Sequence, residues 1–170
     1  APTSFYEAVQ LLWLAHEATT AEQVCGSLSF GRLDQYLYPF YQKDREDGVL
    51  SREEAEEIIQ ALWIKISGLQ RGFQNVTLGG MDMNGKDQCN DLTMMCLEAS
   101  RLVHTDQPSI ALRVHPGMPD EVWEEAMRVL QTGIGFPALF NDPVIIPTRE
   151  RMGASTQEAY NYGIVGCVEP

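Results

Sequence analysis

Helical and extended patterns alternate along this chain, and this alternation restricts the folds that it can adopt. Apolar residues that recur at three- and four-residue steps are typical of helices that bury one face. Such steps predict helices over residues 4–21, 51–69, 88–103 and 119–133. Short apolar runs, typical of strands, lie at residues 76–78, 110–115 and 138–140. Helices that alternate with short strands pack in layers around one core, so the sequence predicts a mixed α/β fold.

Three capping boxes support the predicted helix starts. A capping box places a serine three residues before a glutamate, and the two side chains satisfy backbone N–H groups at the start of a helix. The chain has such pairs at Ser4 and Glu7, Ser51 and Glu54, and Ser155 and Glu158. The third pair predicts a short helix shortly before the last residues.

Three stretches are predicted to be less regular. Residues 26–31 are mostly small and are predicted to form a loop. The aromatic-rich segment that begins at Leu33 is expected to be helical as far as Tyr38. Pro39 then perturbs it, because proline has no backbone N–H to donate. Residues 145–147 are expected to lead into a short helix.

The chain is acidic. Its 170 residues include 24 acidic and 12 basic side chains, which give a formal net charge of −12. Nucleic acids and anionic membrane surfaces attract clustered lysine and arginine, so neither is an expected partner. No apolar run approaches the roughly 18 residues of a membrane span, and no signal peptide is evident, so we expect a cytoplasmic protein.

The four cysteines do not form a metal-binding pattern. Cys25, Cys89, Cys96 and Cys167 include no pair separated by two residues, and the three histidines are scattered. A structural zinc site is therefore not expected, and free thiols in a reducing compartment are. Cys25 is predicted to serve in packing.

The last eight residues hold the strongest candidates for chemistry, Cys167 and Glu169. In an extended segment alternate side chains share a face, which would place this thiol and this carboxylate together. The apolar residues around the cysteine favour a neutral thiol, since burial disfavours the charged form. The alternative interpretations are a cysteine that only packs in the core and a glutamate that is solvated or acts as a cap.

Five sequence blocks, in order along the chain, resemble segments of the glycyl radical enzymes, the pyruvate formate-lyase-like superfamily. They are residues 27–41, 75–80 with 84–87, 108–115, 135–142 and 163–170. Each block alone is modestly specific, whereas the ordered set is a strong match. The resemblance implies a ten-stranded α/β barrel with the cysteine loop threaded into its centre.

The same resemblance implies that residues 1–170 are a helix-rich part of one pyruvate formate-lyase-like catalytic domain, with the cysteine loop at the C-terminal end of this segment. Members of the superfamily are several times longer, and this chain begins without methionine and ends within a motif. We therefore expect an internal segment that lacks the C-terminal glycyl radical segment and is inactive alone.

By this resemblance Cys167 carries a transient thiyl radical that removes a hydrogen atom from a substrate carbon, and Glu169 accepts a proton from a substrate hydroxyl. Pyruvate formate-lyase proper has two adjacent cysteines here, whereas this chain has Gly166 before the cysteine and Val168 after it. The Gly-Cys-Val-Glu-Pro form instead resembles the eliminating members. These are diol and hydroxyproline dehydratases, choline and isethionate lyases, and arylacetate decarboxylases.

Ser27 is the third candidate, as a substrate contact. In the glycerol and propanediol dehydratase branch a His-Ser pair near this place binds substrate hydroxyls, but Gly26 precedes the serine here. The resemblance implies no metal or organic cofactor in the chain itself. It implies a protein glycyl radical outside this segment, a radical SAM activating enzyme that installs it, a small-molecule substrate and a homodimer of the full-length protein.

Other functions stay open at this point. The chain would alternatively belong to an enzyme of the formate C-acetyltransferase type, or be a non-catalytic remnant or interaction module. A thiol hydrolase built on Cys167 and a histidine is a weaker alternative, because no histidine lies near the cysteine in sequence. His104 and His115 are predicted to be structural, and so is an ion pair between Arg32 and Asp34.

Overall fold

The computed structural model describes residues 1–22, 26–69 and 72–170, so Cys25 lies outside the described residues. Helices and strands follow one another within them as α1 Phe5–Glu22, β1 Ser27–Arg32, α2 Leu33–Tyr36, α3 Tyr38–Glu46, α4 Arg52–Gly68, β2 Phe73–Gly79, α5 Asp91–Val103, β3 Ser109–Val114, α6 Asp120–Gln131, β4 Ala138–Asn141, α7 Asp142–Arg151 and α8 Thr156–Tyr160. The predicted α/β class is confirmed. In this part of the chain no helix combines the length and the hydropathy that crossing a bilayer requires.

The four described strands form one parallel sheet in the order β1-β2-β3-β4. Val76 of β2 lies opposite Ile110 of β3, and Leu112 of β3 lies opposite Leu139 of β4. Parallel neighbours need a crossover that returns the chain to the same end of the sheet, and helices supply it between each pair. The sheet therefore grows by one strand with each helical crossover.

The two faces of the sheet are covered by different parts of the chain. One face, with Val76, Leu78 and Ile110, belongs to a large core that includes residues of α1, α4, α5 and α6. We call the opposite face the inner face, and its apolar cluster joins strand residues to α7, α8 and the segment after α8. The members of that cluster are Ala111, Phe140, Ile146, Ala159, Tyr162 and Ile164. Alternate residues of a strand point to opposite faces, so each strand contributes to both layers.

Two of the three predicted capping boxes form completely. At Ser51 and at Ser155 the serine side chain accepts from the N–H three residues later, and the glutamate side chain accepts from the serine N–H. At the first helix only half of the box forms, because Ser4 accepts from the Glu7 N–H while the Glu7 carboxylate accepts from Thr3. Serine–glutamate spacing therefore located helix starts reliably, even where one of its two bonds is replaced.

The predicted loop at residues 26–31 is wrong for most of its length, because strand β1 occupies Ser27–Arg32. Two of its small residues have different reasons. Gly31 has a φ of +64°, a left-handed conformation that favours glycine, at the point where the register between β1 and β2 shifts. The hydroxyl of Ser29 donates a hydrogen bond to the carbonyl of Ile164, in the segment that leads to Cys167.

Pro39 begins a helix instead of perturbing one. Helix α2 ends at Tyr36, and Pro39 lies in the first turn of α3. The missing N–H costs little there, because N–H groups of the first turn have no partner within the helix. The helix predicted to follow residues 145–147 starts earlier, at Asp142, and contains Pro147.

Candidate active site

The segment that leads to Cys167 crosses the inner face of the sheet. Ile164 is fully buried, and its backbone N–H donates to the Oγ1 of Thr77 at 2.8 Å. Its carbonyl oxygen accepts a hydrogen bond from the Oγ of Ser29 at 2.6 Å. Ser29 belongs to β1 and Thr77 to β2, so two neighbouring strands hold this one residue.

Residues 165–169 form a tight turn beyond this anchored residue. The N–H of Val165 donates to the carbonyl of Glu169 at 2.9 Å, and the N–H of Glu169 donates back at 3.2 Å. Gly166 has a φ of +64°, a left-handed conformation that glycine adopts without steric cost. A Cβ on this glycine would lie 2.6 Å from the Oε2 of Glu169, so the turn closes tightly around the carboxylate.

The predicted extended arrangement of Cys167 and Glu169 is wrong, because the chain turns between them. Cys167 is exposed, and its apolar neighbours Val165 and Val168 are 52% and 58% exposed. Within the described residues, the predicted apolar burial of the cysteine is therefore not found. The sulfur is instead open to contact from a second molecule or from another part of a longer chain.

The Glu169 carboxylate organises the turn. Its Oε2 accepts the backbone N–H groups of Val168 and Cys167, each at 3.1 Å. Hydrogen bonds to the charged form, with that from Val168 the largest, lower the pKa of this exposed carboxyl below its ordinary value. The group is therefore ionised at neutral pH. Both bonds end on Oε2, so neither of them occupies Oε1.

An open cavity of about 500 Å³ lies beside the turn. Its lining comes from the start of β1, the start of β2 and the turn itself, as Gly26, Ser27, Phe73, Val165, Gly166, Cys167 and Glu169. The Oγ of Ser27 lies 3.6 Å from where a Cβ on Gly166 would be. The three residues predicted to form the site, Ser27, Cys167 and Glu169, therefore border one cavity, which offers a thiol, a carboxylate and a hydroxyl to a small polar molecule.

A fully buried ion pair, which the sequence analysis does not predict, anchors the same segment. The side chains of Arg113 and Asp142 are 0% exposed and share two hydrogen bonds, of 2.8 and 2.9 Å. The Nη1 of Arg113 also donates to the carbonyls of Tyr160 and Tyr162, at 3.0 and 3.2 Å. The Tyr162 hydroxyl donates to the Oδ1 of Asp142 at 2.6 Å, and its ring centre lies 4.0 Å from the Cζ of Arg113. We call Arg113, Asp142 and Tyr162 the buried clamp.

The buried clamp explains why glycine occupies position 80 and why Tyr162 is buried as a hydrogen-bond donor. A Cβ on Gly80 would lie 2.6 Å from the Nε of Arg113, so only glycine fits beside the guanidinium. Burial, followed by the hydrogen bond to Asp142, raises the pKa of Tyr162, so the phenol stays a neutral donor. Arg113 and Asp142 both lie in the sequence blocks described above, but nothing in those blocks reveals that residues 29 positions apart pair with each other.

The predicted ion pair between Arg32 and Asp34 does not form. Arg32, at the end of β1, donates to the Oδ1 of Asn161 at 3.2 Å and to the carbonyl of Gly79 at 3.1 Å. Asp34 is fully buried, and its Oδ2 accepts from the Gly79 N–H and the Thr93 hydroxyl, each at 2.7 Å. The two side chains serve opposite sides of the sheet, since one reaches the segment after α8 and the other reaches α5. Burial raises the pKa of Asp34.

His115 is structural, as predicted, whereas the side chain of His104 is exposed. The Nδ1 of His115 accepts the Gly117 N–H at 3.2 Å, which leaves Nε2 to carry the proton and donate to the Oδ1 of Asp87 at 3.0 Å. His104 has a φ of 54° at the C-cap of α5, a left-handed position that ends the helix. Neither borders the cavity beside Cys167, so the geometry does not support a thiol hydrolase.

These features define an α/β protein in which a cysteine loop is held across the inner face of a parallel sheet. Comparison with known proteins then gives the family: the model described as pyruvate formate lyase-like matches residues 1–170, and the chain belongs to this family. The isethionate sulfite-lyase of Oleidesulfovibrio alaskensis is a relative, with 35% identity over 98% of this chain and 22% of its own length.

Two solved structures share the fold over nearly the whole chain. The B12-independent glycerol dehydratase from Clostridium butyricum matches with a TM-score of 0.92 and 35% identity, over 100% of this chain and 23% of its own. A glycyl radical enzyme from Archaeoglobus fulgidus matches with a TM-score of 0.90 and 32% identity, over 98% of this chain and 23% of its own. The predicted relation to the eliminating glycyl radical enzymes, and the predicted fold as part of an α/β barrel, are confirmed. The chain spans less than a quarter of the length of these relatives.

Proposed function

We propose that this protein is a glycyl radical lyase of the eliminating type, which acts on a small polar substrate. The observation that carries the proposal is the cavity that Ser27, Cys167 and Glu169 border together. A relative named as a sulfite-lyase and a structural neighbour named as a dehydratase support an elimination as the reaction class. As full-length protein it would be a cytoplasmic homodimer that receives its radical from a radical SAM activating enzyme.

Cys167 performs the hydrogen-atom transfer in this proposal. The exposed sulfur fits an approach by a glycyl segment outside the described residues, whose radical would take the hydrogen atom of the S–H group. The sulfur, now a thiyl radical, removes a hydrogen atom from a substrate carbon, which restores the S–H bond and leaves the unpaired electron on that carbon. No proton or electron pair moves in this step, so it needs no nucleophilic thiolate.

Glu169 accepts the substrate proton in this proposal. Its lowered pKa keeps the carboxylate in the acceptor form at neutral pH, and the two turn hydrogen bonds occupy only Oε2. The carboxylate accepts a proton from the hydroxyl on the substrate radical, and the electron density left on that oxygen helps a neighbouring C–O, C–N, C–S or C–C bond to break. The leaving group departs with the electron pair of that bond. The product radical then takes a hydrogen atom from the S–H group of Cys167, which restores the thiyl radical. The Ser27 hydroxyl orients the substrate by a hydrogen bond.

Replacement of the cysteine tests the proposal with the full-length protein, activated anaerobically by its radical SAM partner. The substrate panel is 1,2-propanediol, glycerol, isethionate, choline and trans-4-hydroxy-L-proline. Cys167→Ala is expected to abolish turnover, since Cys167 carries the only thiol among the described residues that line the cavity. Glu169→Gln is expected to lower kcat by about 10²-fold, because an amide does not accept the proton.

Cys89→Ala is the matched control for loss of a thiol. Cys89 is half-buried and does not border the cavity, so this variant is expected to keep wild-type activity. Turnover by Cys167→Ala at the wild-type rate would refute the proposed function.

A further inference from the structure

Ile164 is the last buried residue before the turn that carries Cys167. This residue has no exposed surface, whereas Val165 after it is 52% exposed, so the segment leaves the sheet between them. Cys167 follows three residues after Ile164. Two hydrogen bonds between Val165 and Glu169 close the turn, so Ile164 is its nearest buried attachment to the sheet.

Two hydroxyl groups hold Ile164 in complementary ways. Thr77 accepts the Ile164 N–H at 2.8 Å and lies 3.3 Å from the Oδ1 of Asn75, to which it donates. Ser29 accepts the Gly31 N–H at 3.0 Å and donates its proton to the Ile164 carbonyl at 2.6 Å. The Oγ of Ser29 also lies 3.3 Å from the carbonyl oxygen of Asn75, but its single proton has the shorter contact to Ile164.

Packing alone does not require these hydroxyls. Thr77 is 0% exposed and lies in an inner strand of a parallel sheet, where valine and isoleucine are the usual residues. Valine has nearly the shape of threonine, but it would leave the N–H of Ile164 buried without a partner. The hydroxyl of Thr77 therefore serves the backbone of the cysteine segment and not the filling of the core.

We infer that Ser29 and Thr77 are positioning residues for hydrogen-atom transfer by Cys167, an inference that rests on the proposed function. Neither residue borders the cavity, so both act through Ile164. Transfer of an atom between sulfur and carbon demands a short and fixed separation, and a misplacement of about 1 Å costs on the order of 10²-fold in rate. Because the turn itself is exposed, the two hydroxyls set where the sulfur lies relative to the sheet.

Thr77→Val and Thr77→Ser form the matched pair that tests this inference in the full-length, activated protein. The substrate is the panel member that the wild type converts fastest, with and without deuterium at the carbon that loses hydrogen. Thr77→Val is expected to lower kcat per glycyl radical by about 10-fold or more, with KM within about twofold. Its deuterium isotope effect on kcat rises, because hydrogen transfer becomes the slow step. Thr77→Ser keeps the hydroxyl and is expected to stay within about threefold of wild type.

Amide hydrogen exchange gives a second readout that needs no substrate. In the peptide that covers residues 160–170, Thr77→Val is expected to speed exchange at the Ile164 amide by about 10-fold or more, and Thr77→Ser is not. Ser29→Ala is the second variant, used also if Thr77→Val fails to fold. It removes the bond to the Ile164 carbonyl and is expected to lower kcat in the same way.

Wild-type kcat in Thr77→Val would overturn the inference. Equal losses in Thr77→Val and Thr77→Ser would also overturn it, because bulk and not the hydroxyl would then control the rate. Cys167→Ala is measured alongside. Turnover by that variant contradicts the proposed function, whereas an inactive Cys167→Ala beside a normal Thr77→Val contradicts only the positioning inference.

Discussion

Tyr162 of the buried clamp lies only three residues before the exposed turn, yet the charged groups of the two regions have opposite surroundings. In the clamp, Arg113 and Asp142 are 0% exposed and each charge is met by the other and by further hydrogen bonds. In the turn, Glu169 is exposed and only backbone N–H groups meet its charge. A buried charge is tolerated only with a complete set of partners, whereas an exposed one stays free to bind or to react.

The two regions therefore have different roles. An exposed turn has little packing of its own, so its position is determined by the residues that anchor it. The clamp fixes the carbonyls of Tyr160 and Tyr162, and the two hydroxyls on β1 and β2 fix Ile164. The region proposed to carry the chemistry is thus the less packed one, and its position depends on the contacts of its neighbours.

Removal of the clamp cation is the change with the largest expected effect on stability. Arg113→Met leaves Asp142 buried with no cation beside it, which is expected to lower the free energy of unfolding by about 3–5 kcal/mol. Chemical denaturation followed by circular dichroism measures the loss. The expected loss of stability is large because the ion pair is buried, and an exposed ion pair would not produce it.

Lys43→Met is the control, because it also removes a cation that pairs with a carboxylate. Lys43 is 61% exposed and its partner Asp47 is 54% exposed. Solvent screens such pairs, so the expected change in the free energy of unfolding is within about 1 kcal/mol. Similar losses in Arg113→Met and Lys43→Met would mean that burial does not distinguish the clamp.

Replacing Gly166 with alanine tests the conformation of the turn. The expected loss of stability is smaller than that for Arg113→Met, and the main expected effect is on activity. A left-handed φ of +64° costs alanine about 1 kcal/mol, and the new Cβ would lie 2.6 Å from the Oε2 of Glu169. The carboxylate must then leave the N–H groups of the turn, so kcat is expected to fall by about 10-fold or more. Steady-state kinetics on the activated full-length protein measures it.

Gly85→Ala separates conformational strain from contact with the carboxylate. Gly85 has a similar φ of +73°, but a Cβ there meets nothing within 4 Å. The same loss of about 1 kcal/mol is expected, with activity unchanged. Equal kcat values for the two alanine variants would show that the geometry around Glu169 does not matter for turnover.

The sequence predicted most of the fold, because burial of one face leaves a periodic pattern in the residues. Strand β1 was missed because Ser27, Ser29 and Gly31 are small or polar and are typical of loops. The role of Ser29 is a hydrogen bond to Ile164, which lies 135 positions away in the chain. No local pattern contains that information.

For the candidate site, the sequence indicated candidate residues but not their geometry. The motif and its resemblance pointed to Cys167, Glu169 and Ser27, and these border one cavity. The alternation rule failed between the first two because Gly166 adopts a positive φ and turns the chain. Arg113 was not recognised as an anchor, since a cation within an apolar strand pattern is explained only by its tertiary partner, Asp142.

Asp34 is a second buried carboxyl, and it forms no ion pair among the described residues. Its Oδ2 accepts two hydrogen bonds, but its Oδ1 is buried and has no partner among the described residues. Burial raises its pKa in the folded protein, so between the unfolded and folded pKa values the folded state holds more protons. Linkage then requires that this group destabilise the fold at high pH and that the cost fall as the pH is lowered.

Asp34→Asn is therefore expected to remove a pH dependence while conserving shape and an acceptor oxygen. Melting temperatures of the wild type and of Asp34→Asn are compared between about pH 8 and pH 5, where other carboxylates contribute equally to both proteins and cancel in the difference. The wild type is expected to gain stability relative to the variant as the pH falls, since only the wild type takes up a proton at this position. A stability difference that stays constant over this range would mean that Asp34 is ionised in the folded protein. Its carboxylate would then be as well compensated without a cation as that of Asp142 is with one.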